Sequence, residues 1–469
     1  MRVDVASPSG RRCRWKHLLV LLALVAAGLP VAALRISTPA ALAAAPPLAL
    51  AWSSPLAQAA TSVAWGDVDG DGDLDLAVGN QGEKSRIYRN CTVKTGAAAD
   101  PCGAATGMSG TLIWEAPSVA NTVGVALADA DGDGDLDLAL ANQDEPSLIY
   151  RNCTVKASAV DPLCGAVAGM SSTLIWQAGA ASATTSMAWG DLDGDGDLDF
   201  VLGNQGEASQ IYRNGGAGTF TLDAPAWQAD APSTQAVALG DINGDGDLDI
   251  VLGNSSEQSQ IYRNCTLSDG ALCAGASFAL DSWAPSGTDQ ASAVALGDVN
   301  GDGLPDLAVG NNGLPNKVFL NVAGAGISSA ATFTAAANVN TRSLAWGDVD
   351  GDGDLDLAVG NQGKPSQLYR NSQGSPTFLA LDADWTTSAT LKTTSVAWGD
   401  INGDGSLDLA LGNESQPALV YQNALSPGLN LAPSSWSYPP PALIPTRGVA
   451  WGDVDGDGDL DLAIAAGGG

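Results

Sequence analysis

From about residue 60 onward, short apolar runs alternate with clusters of Gly, Asn and Asp. The first run, residues 62–66, carries Val63, Ala64 and Trp65 and stops at Gly66. An acidic stretch follows and passes into a second run, residues 74–79. A turn of Asn80, Gln81, Gly82 and Glu83 leads to a third run, residues 86–90, built around Ile87 and Tyr88. A fourth, residues 111–114, ends at Trp114. Each run has strand length, is rich in Val, Ile, Leu, Tyr and Trp, and is bounded by turn-forming residues. No stretch sustains a 3.6-residue period, so helices are not expected.

The whole pattern repeats. Acidic stretches begin at Asp67, Asp129, Asp191, Asp241, Asp298, Asp348, Asp400 and Asp453, spaced 62, 62, 50, 57, 50, 52 and 53 residues apart. Four short strands in a unit of this size predict an all-β fold, a β-propeller of four-stranded blades. Eight blades with an incomplete last one are expected; seven is the alternative. The eighth unit has no third run after residues 460–464, and an isolated fourth run, residues 48–52, precedes the first acidic stretch. That segment could complete the closing blade. Aromatic residues recur in register. Trp65, Trp189, Trp346, Trp398 and Trp451 precede a Gly-Asp; Trp52, Trp114, Trp176, Trp227, Trp283, Trp385 and Trp436 occupy the fourth run, with Phe333 in the remaining slot. Such regularity favours packing between blades over a carbohydrate platform.

The N-terminus follows a different pattern. Arg2, Arg11, Arg12, Arg14 and Lys16 precede an apolar run, residues 18–34, and then Ala41, Ala43 and Ala45. This is the layout of a secretory signal peptide, so residues 1–45 are expected to be removed and residues 46–469 to form the propeller. The run is short for a membrane span and holds Pro30. No other segment could cross a membrane, and the expected location is secreted or cell-surface.

Composition sharpens the picture. The 469 residues carry 52 Asp+Glu, 20 Lys+Arg and one His, a net charge of −32, yet 45% are hydrophobic. Too few cations remain for nucleic-acid binding, and too many apolar residues for an acidic disordered tail. Loss of the signal segment takes the cations to 14 and the anions to 51, and removes His17, the sole histidine. Ser-His-Asp chemistry and His-ligated zinc are thereby excluded from the mature chain. The six remaining cysteines fall into close pairs, Cys91/Cys102, Cys153/Cys164 and Cys265/Cys273, which read as disulfides closing local loops. Asn90, Asn152 and Asn264 each open an Asn-Cys-Thr sequon.

The acidic loops carry the candidate chemistry. Positions 1, 3, 5, 7 and 9 are Asp67, Asp69, Asp71, Asp73 and Asp75 in the first unit. They are Asp129, Asp131, Asp133, Asp135 and Asp137 in the second, and Asp191, Asp193, Asp195, Asp197 and Asp199 in the third. The fourth has Asp241, Asn243, Asp245, Asp247 and Asp249; the fifth Asp298, Asn300, Asp302, Leu304 and Asp306. The sixth has Asp348, Asp350, Asp352, Asp354 and Asp356; the seventh Asp400, Asn402, Asp404, Ser406 and Asp408; the eighth Asp453, Asp455, Asp457, Asp459 and Asp461. Alternating carboxylates, with Gly at positions 4 and 6, let a tight turn aim oxygens at one point. Position 7 would contribute its backbone carbonyl, which explains its tolerance of Leu and Ser. Oxygen-only ligation in a flexible loop selects a hard cation and favours Ca²⁺ over Mg²⁺, giving up to eight calcium ions. The loop is not an EF-hand, whose Glu stands at position 12 between helices. Loops five and seven have three acids each and should bind most weakly.

The Asp-x-[Asp/Asn]-Gly-Asp-Gly-x-x-Asp loop between strands resembles the FG-GAP/VCBS repeat of integrin α-subunit propellers and bacterial exported proteins. Asn214, Gly216, Gly218 and Phe220 also resemble the segment after the third strand in VCBS repeats. The likeness covers about residues 48–466 and implies a calcium-binding propeller with ligands at positions 1, 3, 5, 7 and 9. The family's Phe-Gly is Trp-Gly or Leu-Gly here, and Leu127-Ala128 in the second unit.

Three functions fit. The first is an exported binding or adhesion module for a protein or glycan, with calcium structural and the docking face formed by turns such as residues 80–83, 142–145, 204–207 and 361–364. The second is a structural display domain of a larger surface protein. The third, a polysaccharide-acting enzyme using carboxylates alone, is disfavoured because every acidic cluster repeats, whereas an active site requires one unit to differ.

Overall fold

The computed structural model describes residues 59–91, 108–154, 169–216, 219–222, 233–266, 277–285, 289–371, 385–400, 405–414, 416, 418–423, 431–437, 446–453 and 460–466. The expected signal segment, the run at residues 48–52 and Trp227 lie outside them. Among the described residues there is no helix, hence none long and apolar enough to cross a membrane.

The fold is all-β, and each unit is an antiparallel meander. In unit one, the inner strand Ala60–Gly66 pairs with Asp75–Glu83, which pairs with Arg86–Asn90, which pairs with Met108–Glu115. The same order recurs through unit seven, whose strands are Leu391–Gly399, Asp408–Asn413, Leu419–Asn423 and Leu431–Ser437. Unit eight shows two strands among the described residues, Thr446–Gly452 and Asp461–Ala466. The first six residues of the second strand are buried throughout in units one to seven. That burial on both faces explains why the run is nearly continuous in apolar residues rather than alternating.

The core lies between units. Ile87 and Ala77 of unit one pack with Leu138, Leu140 and Tyr150 of unit two. Equivalent clusters join each later pair. The last joins Ala463 and Ala465 of unit eight to Leu76, Val78 and Tyr88 of unit one. The inner strands follow suit: each contacts the next, and Thr446–Gly452 contacts Ala60–Gly66. The sheets therefore pack face to face around a closed circuit.

The aromatic register has the expected role. Trp114 packs on Tyr150 at 4.6 Å, Trp176 on Tyr212 at 4.4 Å and Trp385 on Tyr421 at 4.8 Å, each between neighbouring units. One placement differs. Trp283 lies beyond the fourth strand of unit four, which is Phe278–Leu280. Asp281 ends that strand: its Oδ1 accepts the Trp283 N–H and its Oδ2 accepts the Arg263 Nε–H. Trp283 still reaches unit five, edge-on to Phe319 at 5.3 Å.

Candidate metal centre

Each acidic loop joins an inner strand to its second strand, and in units one to seven it is held by its own carboxylates. In unit one, Asp67 Oδ1 accepts the Asp71 N–H at 3.1 Å and Oδ2 accepts the Gly72 N–H at 3.0 Å. Asp71 Oδ1 accepts the Asp73 N–H at 3.1 Å. Gly70 and Gly72 adopt φ of 72° and 96°, a conformation that L side chains resist. The first-position bond recurs at Asp129, Asp191, Asp241, Asp298, Asp348 and Asp400.

The ninth-position acid does more than the sequence suggested. Asp75 is fully buried. Its Oδ2 accepts the Val68 N–H at 3.0 Å and its Oδ1 the Asn90 N–H at 2.9 Å, tying the loop to the end of the third strand. The same two bonds form at Asp137, Asp199, Asp249, Asp306 and Asp356. Burial pushes these carboxyls up: to about 7 for Asp75, about 8 for Asp137, about 6 for Asp199 and Asp306, and about 7 for Asp249 and Asp356. Each oxygen has two lone pairs, so one bond to an N–H leaves it able to meet a cation.

In four of the loops, three of the expected side chains converge. Carboxylate oxygens of Asp67, Asp69 and Asp71 lie within 4.8 Å of one another. So do those of Asp129, Asp131 and Asp137, of Asp191, Asp193 and Asp199, and of Asp348, Asp350 and Asp356. The position-7 residues Asp73, Asp135, Asp247, Asp354 and Ser406 are buried, and Asp197 and Leu304 half-buried. Asn402, Asp404, Asp455, Asp457 and Asp459 fall outside the described residues. The partner cysteines Cys102, Cys164 and Cys273 do as well.

Two partners of the loop are invisible in the acidic motif itself. The third strand's arginine meets the third acid: Arg89 with Asp69, Arg151 with Asp131, Arg213 with Asp193 at 3.0 Å and Arg370 with Asp350 at 3.3 Å. In units two to seven the asparagine at the end of the third strand bonds the preceding unit's loop. Asn152 Nδ2 donates to the Val68 carbonyl at 2.7 Å, and Asn214, Asn264, Asn321, Asn371 and Asn423 repeat this on Ala130, Leu192, Ile242, Val299 and Val349. Asn152 and Asn264 therefore have structural work that their sequons conceal, Asn90 Nδ2 donates to the Leu74 carbonyl of its own unit at 3.2 Å, and all three are buried.

Oδ1 of Asp69, Asp193 and Asp350 is buried and makes no hydrogen bond. Such atoms are costly unless something meets them. With oxygen donors alone around them, the loops fit a hard cation.

These features define a β-propeller whose strand 1–2 loops are acidic. The chain belongs to the FG-GAP repeat family: the FG-GAP-like repeat matches residues 191–252, 241–309, 298–359, 348–411 and 400–464, and the FG-GAP repeat matches residues 59–97. No curated protein matches this sequence. Among solved structures, Sqt1 from Chaetomium thermophilum is similar at TM-score 0.54 and 12% identity, covering 88% of this chain and 98% of that one. The same protein bound to the N-terminus of the ribosomal protein L10 gives 0.53 and 12%, covering 87% and 97%. The computationally designed Ika8 gives 0.52 and 10%, covering 87% and 97%. At these identities the likeness is one of fold.

Proposed function

We propose that the chain is an exported, eight-bladed, calcium-binding propeller that acts as a non-catalytic binding module for a protein or glycan. The observation that carries this reading is the recurrence of acidic, oxygen-only loops in every unit, with carboxylates converging in units one, two, three and six. Calcium there is structural: it neutralises clustered carboxylates and meets the buried Oδ1 atoms of Asp69, Asp193 and Asp350. Position 1, 3, 5 and 9 side chains and the position-7 carbonyl would hold it. Blade count rests on the contact of unit eight with unit one.

Export is supported by the basic N-terminus and the apolar run at residues 18–34. Exported chains tolerate disulfides, and the burial of Cys91 and Cys153 suits local closure with Cys102 and Cys164.

The binding role draws on the fold, since one similar propeller was solved holding a peptide terminus. Docking is assigned to the face of the strand 2–3 turns. There Asn80, Asn142 and Asn204 are buried as turn organisers, while Gln81, Asp144, Gln205 and Glu207 stand exposed.

Two measurements test the reading. Calcium should raise the melting temperature above that in EDTA, because a ligand bound only by the folded state stabilises it; an unmoved transition sinks structural calcium. Protein and glycan arrays should return a ligand whose binding is lost in an Asp144→Lys/Glu207→Lys variant with unchanged melting. Arrays without any ligand, or binding indifferent to that variant, refute the assignment of function or face.

A further inference from the structure

The third-strand arginine and the third loop acid vary together along the chain. Arg89, Arg151, Arg213 and Arg370 stand in four of the five units whose third position is Asp; the fifth, unit eight with Asp455, has no third run in this sequence. Where that position is Asn300 or Asn402, the arginine's place holds Leu320 or Gln422. Unit four keeps Arg263 opposite Asn243; there its Nε donates to Asp281 at 2.6 Å and its Nη1 stands 3.5 Å from Oδ2 of Asp249, the ninth-position acid of the same loop.

Burial supplies the reason. The Asp131 side chain is 1% exposed and that of Arg151 7%. A carboxylate so enclosed, beside other loop acids, is strongly unfavourable without a counter-charge, whereas an amide is not. The arginine engages Oδ2 of Asp69, Asp193 and Asp350, and Oδ1 of each is left without a hydrogen bond.

We propose that Arg89, Arg151, Arg213 and Arg370 are built-in counter-ions that hold the third acid in place when the loop is empty and oppose the cation when it arrives. Six of the repeats then form two classes of site. Units one, two, three and six carry five acids and an opposing arginine; units five and seven carry three acids and none. The arginine narrows the difference in charge between classes, so the four acid-rich loops bind calcium less tightly than their carboxylates alone would dictate. This rests on the calcium reading above.

The test uses the full chain stripped of metal, titrated with calcium chloride by calorimetry and melted in chelator. Replacing all four arginines (Arg89→Leu, Arg151→Leu, Arg213→Leu, Arg370→Leu) should lower the melting temperature in chelator. It should also tighten calcium binding by about tenfold at the affected loops, the scale of one adjacent charge. Adding Asp69→Asn, Asp131→Asn, Asp193→Asn and Asp350→Asn recreates the Asn300/Leu320 pairing of unit five. That variant should recover the melting temperature in chelator and lose the gain in affinity. Arg→Lys at the four places should retain the wild-type calcium midpoint. An unmoved or weakened midpoint in the leucine variant, or no recovery on adding asparagine, overturns the proposal. Wild-type protein that takes up no calcium overturns the calcium reading itself; wild-type uptake with an unmoved variant midpoint overturns only the role of the arginines.

Discussion

The indole Nε1 of Trp65 donates to the carbonyl of Ala450 at 3.3 Å, across 385 residues of chain. Trp346, Trp398 and Trp451 make the same bond to Ala295, Ala345 and Ala397 of the preceding inner strand. The contact between unit eight and unit one is thus an ordinary member of the series.

That bond depends on a missing side chain. A Cβ at Gly452 would stand 2.9 Å from Cδ1 of Trp65. Unit two, with Ala128 at the equivalent place, shows the consequence: the facing Trp189 Nε1 is buried without a hydrogen bond. Gly452→Ala should cost about 1–3 kcal/mol through overpacking, measured as a lowered urea midpoint. An unchanged midpoint would show that the Trp65 contact contributes little to closure.

Acidity should have an unusual sign in the metal-free protein. Asp75, Asp137, Asp249 and Asp356 are raised from 3.8 to about 7 or 8 by burial, and Asp199 and Asp306 to about 6. The folded state therefore holds protons that the unfolded chain has released. Their contribution is complete below about pH 4 and is lost as pH rises through 6–8. Chelated protein should melt at a lower temperature at pH 8 than at pH 5. A flat or rising profile would contradict the burial of the ninth acid.

The ninth and fifth acids should respond differently to amidation. Asp137 accepts N–H groups from Ala130 at 3.0 Å and Asn152 at 2.7 Å, so Asp137→Asn turns an NH₂ against one of them. The loss should be about 1–3 kcal/mol at pH 8 even without calcium. Asp71→Asn keeps its acceptor for the Asp73 N–H and removes a charge from the cluster. It should melt no lower than wild type in chelator and gain less from added calcium. Equal behaviour of the two variants would remove the distinction between tie and ligand.

A glycan on Asn152 would occupy the nitrogen that bonds Val68. In a glycosylating host, mass spectrometry of the folded, soluble fraction should find Asn152 unmodified, and likewise Asn264, which bonds Leu192. Full occupancy in a fraction that melts like the unmodified protein would refute this.

Much of the architecture was legible because one set of residues had to serve every unit. The period, the four strands and the loop acids all follow from recurrence. Trp114, Trp176 and Trp385 landed between units as their register implied. The backbone tie made by Asp75 was hidden because the acidic motif and an acceptor for backbone N–H groups call for the same side chain. Trp283 was misplaced relative to its strand because the turn depends on Asp281 meeting Arg263, a contact set by tertiary position. The pairing of Arg89 with Asp69 spans 20 residues, but its signature, Leu320 opposite Asn300 and Gln422 opposite Asn402, stood in the alignment of the units with one another.

The asparagine that ends each third strand has one more consequence. Asn214 grips the loop of unit two, Asn264 that of unit three, and Asn321 that of unit four. No loop is finished by its own repeat. An open row of such repeats would always leave a loop at its leading edge with no following unit, whereas in a closed circuit every unit is followed by another. The shape of one loop is thereby wired to the folding of the next unit, and a nick or a melted sheet should loosen the loop upstream of it first.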